Sequence, residues 1–137
     1  MADYTLNRTG AEIDAIGTTV MATSSLDSVP SRTYVDLCSM SLPAGTYVVI
    51  GEIYMAASED FNVVGCISTE SAATQISSGG HAQVCVRADM DGVSMSLTRI
   101  VTLSAQTTVY LVCRQSSSTA KTTGYAPRNM MRAVRIR

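Results

Sequence analysis

The sequence predicts an all-β domain, an antiparallel sandwich of about eight strands preceded by a short N-terminal helix. Three observations carry this expectation. Between residues 33 and 137, short stretches of alternating apolar and polar residues recur, each bounded by turn-forming residues. One of them, Thr46–Ala56, is rich in β-branched and aromatic residues and is apolar on both faces: Tyr47, Val49, Ile53 and Met55 on one, Val48, Ile50 and Tyr54 on the other. Beyond residue 22 no stripe at helical spacing persists.

Taken in order, Thr9-Gly10-Ala11-Glu12 has capping-box spacing, and Ile13, Ile16 and Val20 follow on one helical stripe. So short a helix is marginal alone, so it either opens a three-stranded coil or folds back on its own domain. Residues 1–31 are read as this helical attachment segment and a polar linker ending near Pro30, and residues 32–137 as the head domain.

The strands expected in the head are Thr33–Leu42, Thr46–Ala56, Phe61–Thr69, Ala82–Asp89, Ser94–Ser104, Thr107–Gln115 and Met130–Arg137. Pro43-Ala44-Gly45 is turn chemistry, and Asp91-Gly92 is a hairpin signal. The segments 57–60, 70–81 and 116–125 read as loops, which on a rigid scaffold are the usual carriers of recognition. About eight strands in a domain of this size suit a jelly roll.

The 137 residues are 46% apolar and only 15% charged, which suits a β domain that hides surface in an oligomer. No leader pattern opens the chain, so folding in a cytoplasm is expected, and no apolar run is long enough to insert in a membrane. The acids are concentrated before residue 71. After Asp91 only bases occur: Arg99, Arg114, Lys121, Arg128, Arg132, Arg135 and Arg137. No aromatics interleave the terminal arginines to stack on bases, so nucleic acid is not expected as a partner. The favoured account sets the basic last strand beside an acidic N-terminal segment of the same or a neighbouring chain; the alternative is a basic end that grips a polyanion such as nucleic acid or an anionic glycan. The four cysteines, Cys38, Cys66, Cys85 and Cys113, have no metal-binding spacing. Two disulfides are arithmetically open, but cytoplasmic folding favours buried free thiols.

Two patterns carry a resemblance. Leu42-Pro43-Ala44-Gly45-Thr46-Tyr47 resembles the L-x-x-G-x-Y strand entry of the tumour-necrosis-factor and complement-head jelly rolls. Leu103-Ser104-Ala105-Gln106-Thr107-Thr108-Val109-Tyr110-Leu111 is similar to their later L-x-x-G-D-x-V-x-L turn, with Gln106-Thr107 where Gly-Asp is usual. Thr9-Gly10-Ala11-Glu12-Ile13-Asp14 resembles a linker of bacteriophage and prophage virion proteins. Together these resemblances imply a homotrimeric phage fibre or spike head. Its N-terminal segment would join other virion proteins, and its loops would meet a host-surface glycan or protein. The protein is then expected in the virion, after synthesis and assembly in the host bacterial cytoplasm. The alternative is a capsid-attached head fibre or decoration protein that stabilises the shell. A small polysaccharide hydrolase is a third reading.

The resemblance places Tyr47 in the core and Val48 and Ile50 toward the threefold axis. Val48, Ile50, Glu52 and Tyr54 are therefore the candidate trimer interface, with Glu52 at the rim or paired with Arg99 or Arg135 of a neighbouring subunit. No catalytic, cofactor or metal residues are assigned. His81 lies in a Gly/Ser-rich loop without a nucleophile elbow. Glu59-Asp60 and Asp89/Asp91 offer paired carboxylates, but the chain lacks the aromatics that usually line a saccharide groove, having no Trp and one Phe. Asp89-Met90-Asp91-Gly92 lacks the further oxygen ligands of a calcium loop. Tyr125-Ala126-Pro127-Arg128 offers an aromatic and a cation for sugar stacking, or simply a turn before the last strand.

Overall fold

The computed structural model describes residues 15–73 and 81–137. Ten strands follow in chain order: β1 (Thr19–Thr23), β2 (Ser28–Val29), β3 (Val35–Leu42), β4 (Gly45–Ala56), β5 (Phe61–Ser68), β6 (His81–Val86), β7 (Gly92–Leu103), β8 (Thr107–Gln115), β9 (Lys121–Thr122) and β10 (Met130–Arg135). They form two four-stranded antiparallel sheets, ordered β1-β10-β4-β7 and β3-β8-β5-β6, with a small β2-β9 ribbon at one end. The all-β antiparallel jelly-roll sandwich expected from the sequence is the fold of this chain.

The core lies between the sheets and follows the alternation of the strands. From the first sheet come Tyr47, Val49, Ile53 and Met55 of β4, with Leu97, Val101 and Leu103 of β7. From the second come Leu37, Met40 and Leu42 of β3, Phe61, Val63 and Ile67 of β5, and Val109 and Leu111 of β8. Each such side chain contributes roughly 1.5–3 kcal/mol through burial. The sheets approach closely enough that a Cβ at Gly51 would lie 2.7 Å from Leu111 Cδ1. A side chain at position 51 would therefore have to displace the end of Leu111.

The N-terminal helix needs correction. Thr9–Asp14 lie outside the described residues, but Ala15–Gly17 is a turn and Val20, the last residue of the expected stripe, is in β1. The run Thr18-Thr19-Val20 is β-branched and prefers a pleated strand. β10 supplies the ladder, with Thr19 opposite Val134 and Thr23 opposite Met130. Val20 and Ala22 then pack on the core while Met21 points outward. Thus β1 and β2, within the stretch 1–31 set apart in the sequence reading, are built into the sheets.

Asp91-Gly92 is also not a hairpin turn. β6 belongs to the second sheet and β7 to the first, so the turn carries the chain across the sandwich. The turns at Pro43–Gly45 and Ala105-Gln106 do the same, which is why the chain winds as a jelly roll and not as a meander. The strand expected to reach Asp89 ends at Val86, after which Arg87 pairs with Asp89 at 3.2 Å.

The four cysteines are free thiols. Cys38, Cys66 and Cys113 are buried, and burial pushes Cys38 up to about 11 and Cys113 up to about 12. Cys85 departs from the expected burial. It sits on the outer side of β6, an edge strand, and is exposed.

Candidate functional site

The outer face of the first sheet collects the side chains that the sequence reading singled out. Alternation along β4 turns Val48, Ile50, Glu52 and Tyr54 away from the core. Register then fixes their neighbours. Val48 lies between Val134 and Ile100, Ile50 between Arg132 and Thr98, and Glu52 between Met130 and Ser96; Tyr54 is opposite Ser94. Met21 extends the Arg132 row onto β1.

This face has two unlike halves. Toward Gly45 it is mainly apolar, with Arg132 and threonines set among the apolar side chains: Ile100 is 65% and Met21 57% exposed, Ile136 is exposed at the sheet's end, and Val48, Ile50 and Val134 are half-buried. Such a concentration on one face is unusual for a surface in water. Toward Ala56 the face becomes concave, with polar groups set among Met95, Pro127 and Met130. Glu52, Tyr54, Ser94, Ser96, Tyr125 and Arg128 line a cleft of about 570 Å³. At about 3.4 Å per residue, Val48 and Tyr54 stand roughly 20 Å apart along the strand. The four candidate interface residues thus divide into an apolar pair and a cleft pair.

The cleft is assembled by residues distant in sequence. β10 leaves the ladder at Met130, opposite Glu52, so Tyr54 has no strand partner on that side. The buried Asn129 takes its place: its Oδ1 accepts the Tyr54 N–H at 2.8 Å, and its Nδ2 donates to Ala126 O. The turn Ala126–Arg128 is thereby fixed to β4. Arg128 lies over the Tyr54 ring, 4.7 Å from guanidinium carbon to ring centroid. Gly92 and Gly124 flank the same ring, and a Cβ at Gly124 (φ +69°) would stand 3.1 Å from Tyr54 Cε1. Tyr125 projects with 60% of its surface exposed. The sequence reading named Tyr125 and Arg128 and missed Asn129, Ser94 and Ser96; an Asn directly after the Pro-Arg turn was the one local signal for Asn129.

The bases expected to answer Glu52 need correction. Arg99 and Arg135 lie on the core-facing side of their strands. Arg99 Nη1 donates to Ile67 O at 2.7 Å, and Arg135 Nε donates to Arg137 O. The arginines on the Glu52 face are Arg128 and Arg132. Neither pairs with it inside the subunit, because the ion pairs among the described residues are Arg87–Asp89 and Lys121–Glu59. β10 lies between β1, which carries no acid, and β4, which carries Glu52; the N-terminal acids Asp3, Glu12 and Asp14 lie outside the described residues.

Two of the three loops meet at the cleft end. Lys121 Nζ donates to Glu59 Oε1 at 2.8 Å and to Ser58 Oγ at 3.2 Å, and the Ser117 hydroxyl donates to the same carboxylate. These donors hold the Glu59 carboxyl below its ordinary value, Lys121 first and Ser117 second. The buried Gln115 braces this end, its amide donating to Pro30 O and Thr119 O, both at 2.9 Å. The segment after β5 starts elsewhere, tied to β3 by Asp36, which accepts the Ala72 N–H at 2.8 Å; residues 74–80 of that loop lie outside the described residues. The chain enters the sandwich at the other end, where Gly17 N–H donates to Arg135 O and Thr46 N–H to Arg137 O.

The paired carboxylates considered from sequence are tied into this framework. Glu59 serves Lys121 and Ser117, Asp60 accepts the Ala88 N–H, and Asp89 pairs with Arg87. His81 opens β6 opposite Cys66 and is exposed. Among the described residues, no group of three or more His, Cys, Asp or Glu is placed to hold a metal. No helix among them is long and apolar enough to cross a membrane.

No protein-family model matches the chain. A search of the curated proteins finds no match. Among solved structures, the chain is similar to the Eiger TNF of S. frugiperda, with a TM-score of 0.53 and 10% identity over 89% of this chain and 94% of that one. It is also similar to a chain of infectious bursal disease virus, Gx strain, with a TM-score of 0.52 and 13% identity, covering 86% of this chain but 37% of the viral one. At these identities the likeness is one of fold, the jelly roll.

Proposed function

We propose that the chain is a non-enzymatic structural protein of a virion, the homotrimeric head of a phage fibre or spike that binds the host surface. The observation that carries this reading is the apolar half of the outer face. Val48, Ile100 and Val134 form an apolar row on a four-stranded sheet, with Ile50 beside it and Met21 beyond the exposed Arg132, and a second and third copy would remove the row from water while leaving Arg132 to reach the rim. A jelly roll of this kind is used by the TNF and by the virus chain to which it is similar. The phage context rests on the resemblance of Thr9–Asp14.

The polarity of the subunit suits display. The chain enters at the Gly45 end, where it would join other virion proteins, while the loops 57–60 and 116–125 and the cleft stand at the far end. Threefold repetition turns weak contacts per subunit into useful attachment.

Light scattering tests the assembly. The full chain, and a chain starting at Ala15 that retains β1, are both expected at three times the 14.5 kDa subunit mass. A monomeric full chain overturns the trimer. Attachment is tested with labelled protein on host cells. Replacing the 57–60 or 116–125 loop with a Gly/Ser linker should abolish binding. Undiminished binding by every loop variant favours the decoration protein instead.

A further inference from the structure

We propose that the cleft between β4, β7 and the Tyr125–Arg128 turn is a carbohydrate-binding site for neutral oligosaccharides. The proposal deepens the receptor-binding reading above and rests on it. Four features of the cleft point to this ligand class.

Tyr125 presents a large aromatic face that is 60% exposed and lies outside the core. An exposed ring beside a cleft can stack on the apolar C–H face of a pyranose while its hydroxyl stays in water. The floor is the Ser94/Ser96 edge of β7, whose alternation turns both hydroxyls outward opposite Tyr54 and Glu52. Glu52 is exposed and outside any ion pair among the described residues, so both carboxylate oxygens are available to accept from sugar hydroxyls. Arg128 is held over Tyr54, which leaves guanidinium N–H groups to donate.

The charges in the lining decide the sugar type. One carboxylate and one guanidinium leave no net charge, which suits an uncharged polyol over a uronate or a sulfated glycan. The same lining argues for binding over cleavage. Glycoside hydrolysis takes two carboxyl groups across the scissile bond, and among the described residues Glu52 is the one carboxylate lining this cleft. The site is also rigid where it must be, because Asn129 and the flanking glycines fix Tyr54 and the turn before any ligand arrives.

The test uses the full chain on an array of neutral hexose and N-acetylhexosamine oligosaccharides, with uronate and sulfated glycans as controls, alongside attachment to host cells. The wild type should retain neutral probes. Tyr125→Ala should lose at least tenfold in affinity, and Glu52→Gln should weaken binding several-fold, both with unchanged mass and melting temperature. Glycan binding that survives both substitutions puts the sugar site elsewhere and overturns the cleft. Preference for the anionic probes overturns the neutral class. Cell attachment without glycan binding overturns the carbohydrate while the receptor-binding head stands, and then a protein receptor is sought. Loss of both removes the receptor-binding reading as well.

Discussion

Along β4, Val48 and Ile50 sit in a ladder with strands on both sides, whereas Glu52 and Tyr54 sit where that ladder runs out. The first half is shaped by backbone pairing, and its character comes from the apolar side chains the pleat turns outward. The second half is shaped by side chains that substitute for missing strand: Asn129 for β10, Arg128 on the Tyr54 ring, Lys121 and Ser117 on Glu59. A regular sheet end yields a flat surface suited to another copy of the same flat surface. An end where the ladder fails yields a concave one, because loops rise around a floor that has lost a strand. One strand thereby carries two kinds of surface about 20 Å apart.

The division is most directly broken by charge in the flat half. Ile50→Lys should reduce the light-scattering mass from three subunits to one, or produce aggregate, since a buried unpaired ammonium is expensive. Tyr54→Ala, two rows beyond Glu52's neighbour Ile50, should leave the mass unchanged. Dissociation by Tyr54→Ala would extend the interface into the cleft and end the distinction.

The concave half should yield to loss of its side-chain scaffold. Asn129→Ala removes the acceptor of the Tyr54 N–H inside a buried site, at a cost of about 1–3 kcal/mol. Denaturant unfolding checks the value, with the trimer mass retained. A neutral result would mean that water replaces the amide and that Asn129 does not shape the cleft.

A smaller effect separates folding from assembly. Ile100 is largely exposed in the subunit, so Ile100→Ser should change subunit stability by less than about 0.5 kcal/mol. It should nevertheless raise the concentration at which the trimer dissociates, measured by sedimentation. No shift in dissociation would take Ile100 out of the contact.

The smallest effect concerns acid. Glu59 is held below the ordinary 4.5 by the Lys121 and Ser117 donors. A carboxyl whose folded value is depressed stabilises the fold in full above its unfolded value, and that contribution disappears as pH falls from about 4.5 through the folded value. The wild type should therefore lose denaturant resistance in that window. Glu59→Gln should lose less over the same window, starting from a lower level at pH 7. Equal slopes would show that the ion pair does not hold the loop end together.

The sequence was readable where structure repeats. Alternation located β3 to β8 and β10 within a few residues, and the two-faced run at Thr46–Ala56 identified both the core face and the apolar outer face. It misled where a local signal competed with a distant partner. The Ile13, Ile16, Val20 spacing read as helix, but β10 offered Val20 a ladder and the core a place for it. Arg99 and Arg135 were plausible partners for Glu52 by charge alone. The pleat sends both to the opposite side.

What the sequence by itself determined is the fold class and the pattern of faces, because alternation is a local property and hydrophobic burial enforces it. What only the tertiary structure decided is the cleft. Tyr54 and Asn129 are 75 positions apart, Glu52 meets Ser96 through strand register, and Glu59 finds Ser117 58 positions away. Contacts of that kind depend on which strands become neighbours, and turn residues mark where the chain reverses without saying to which sheet it returns.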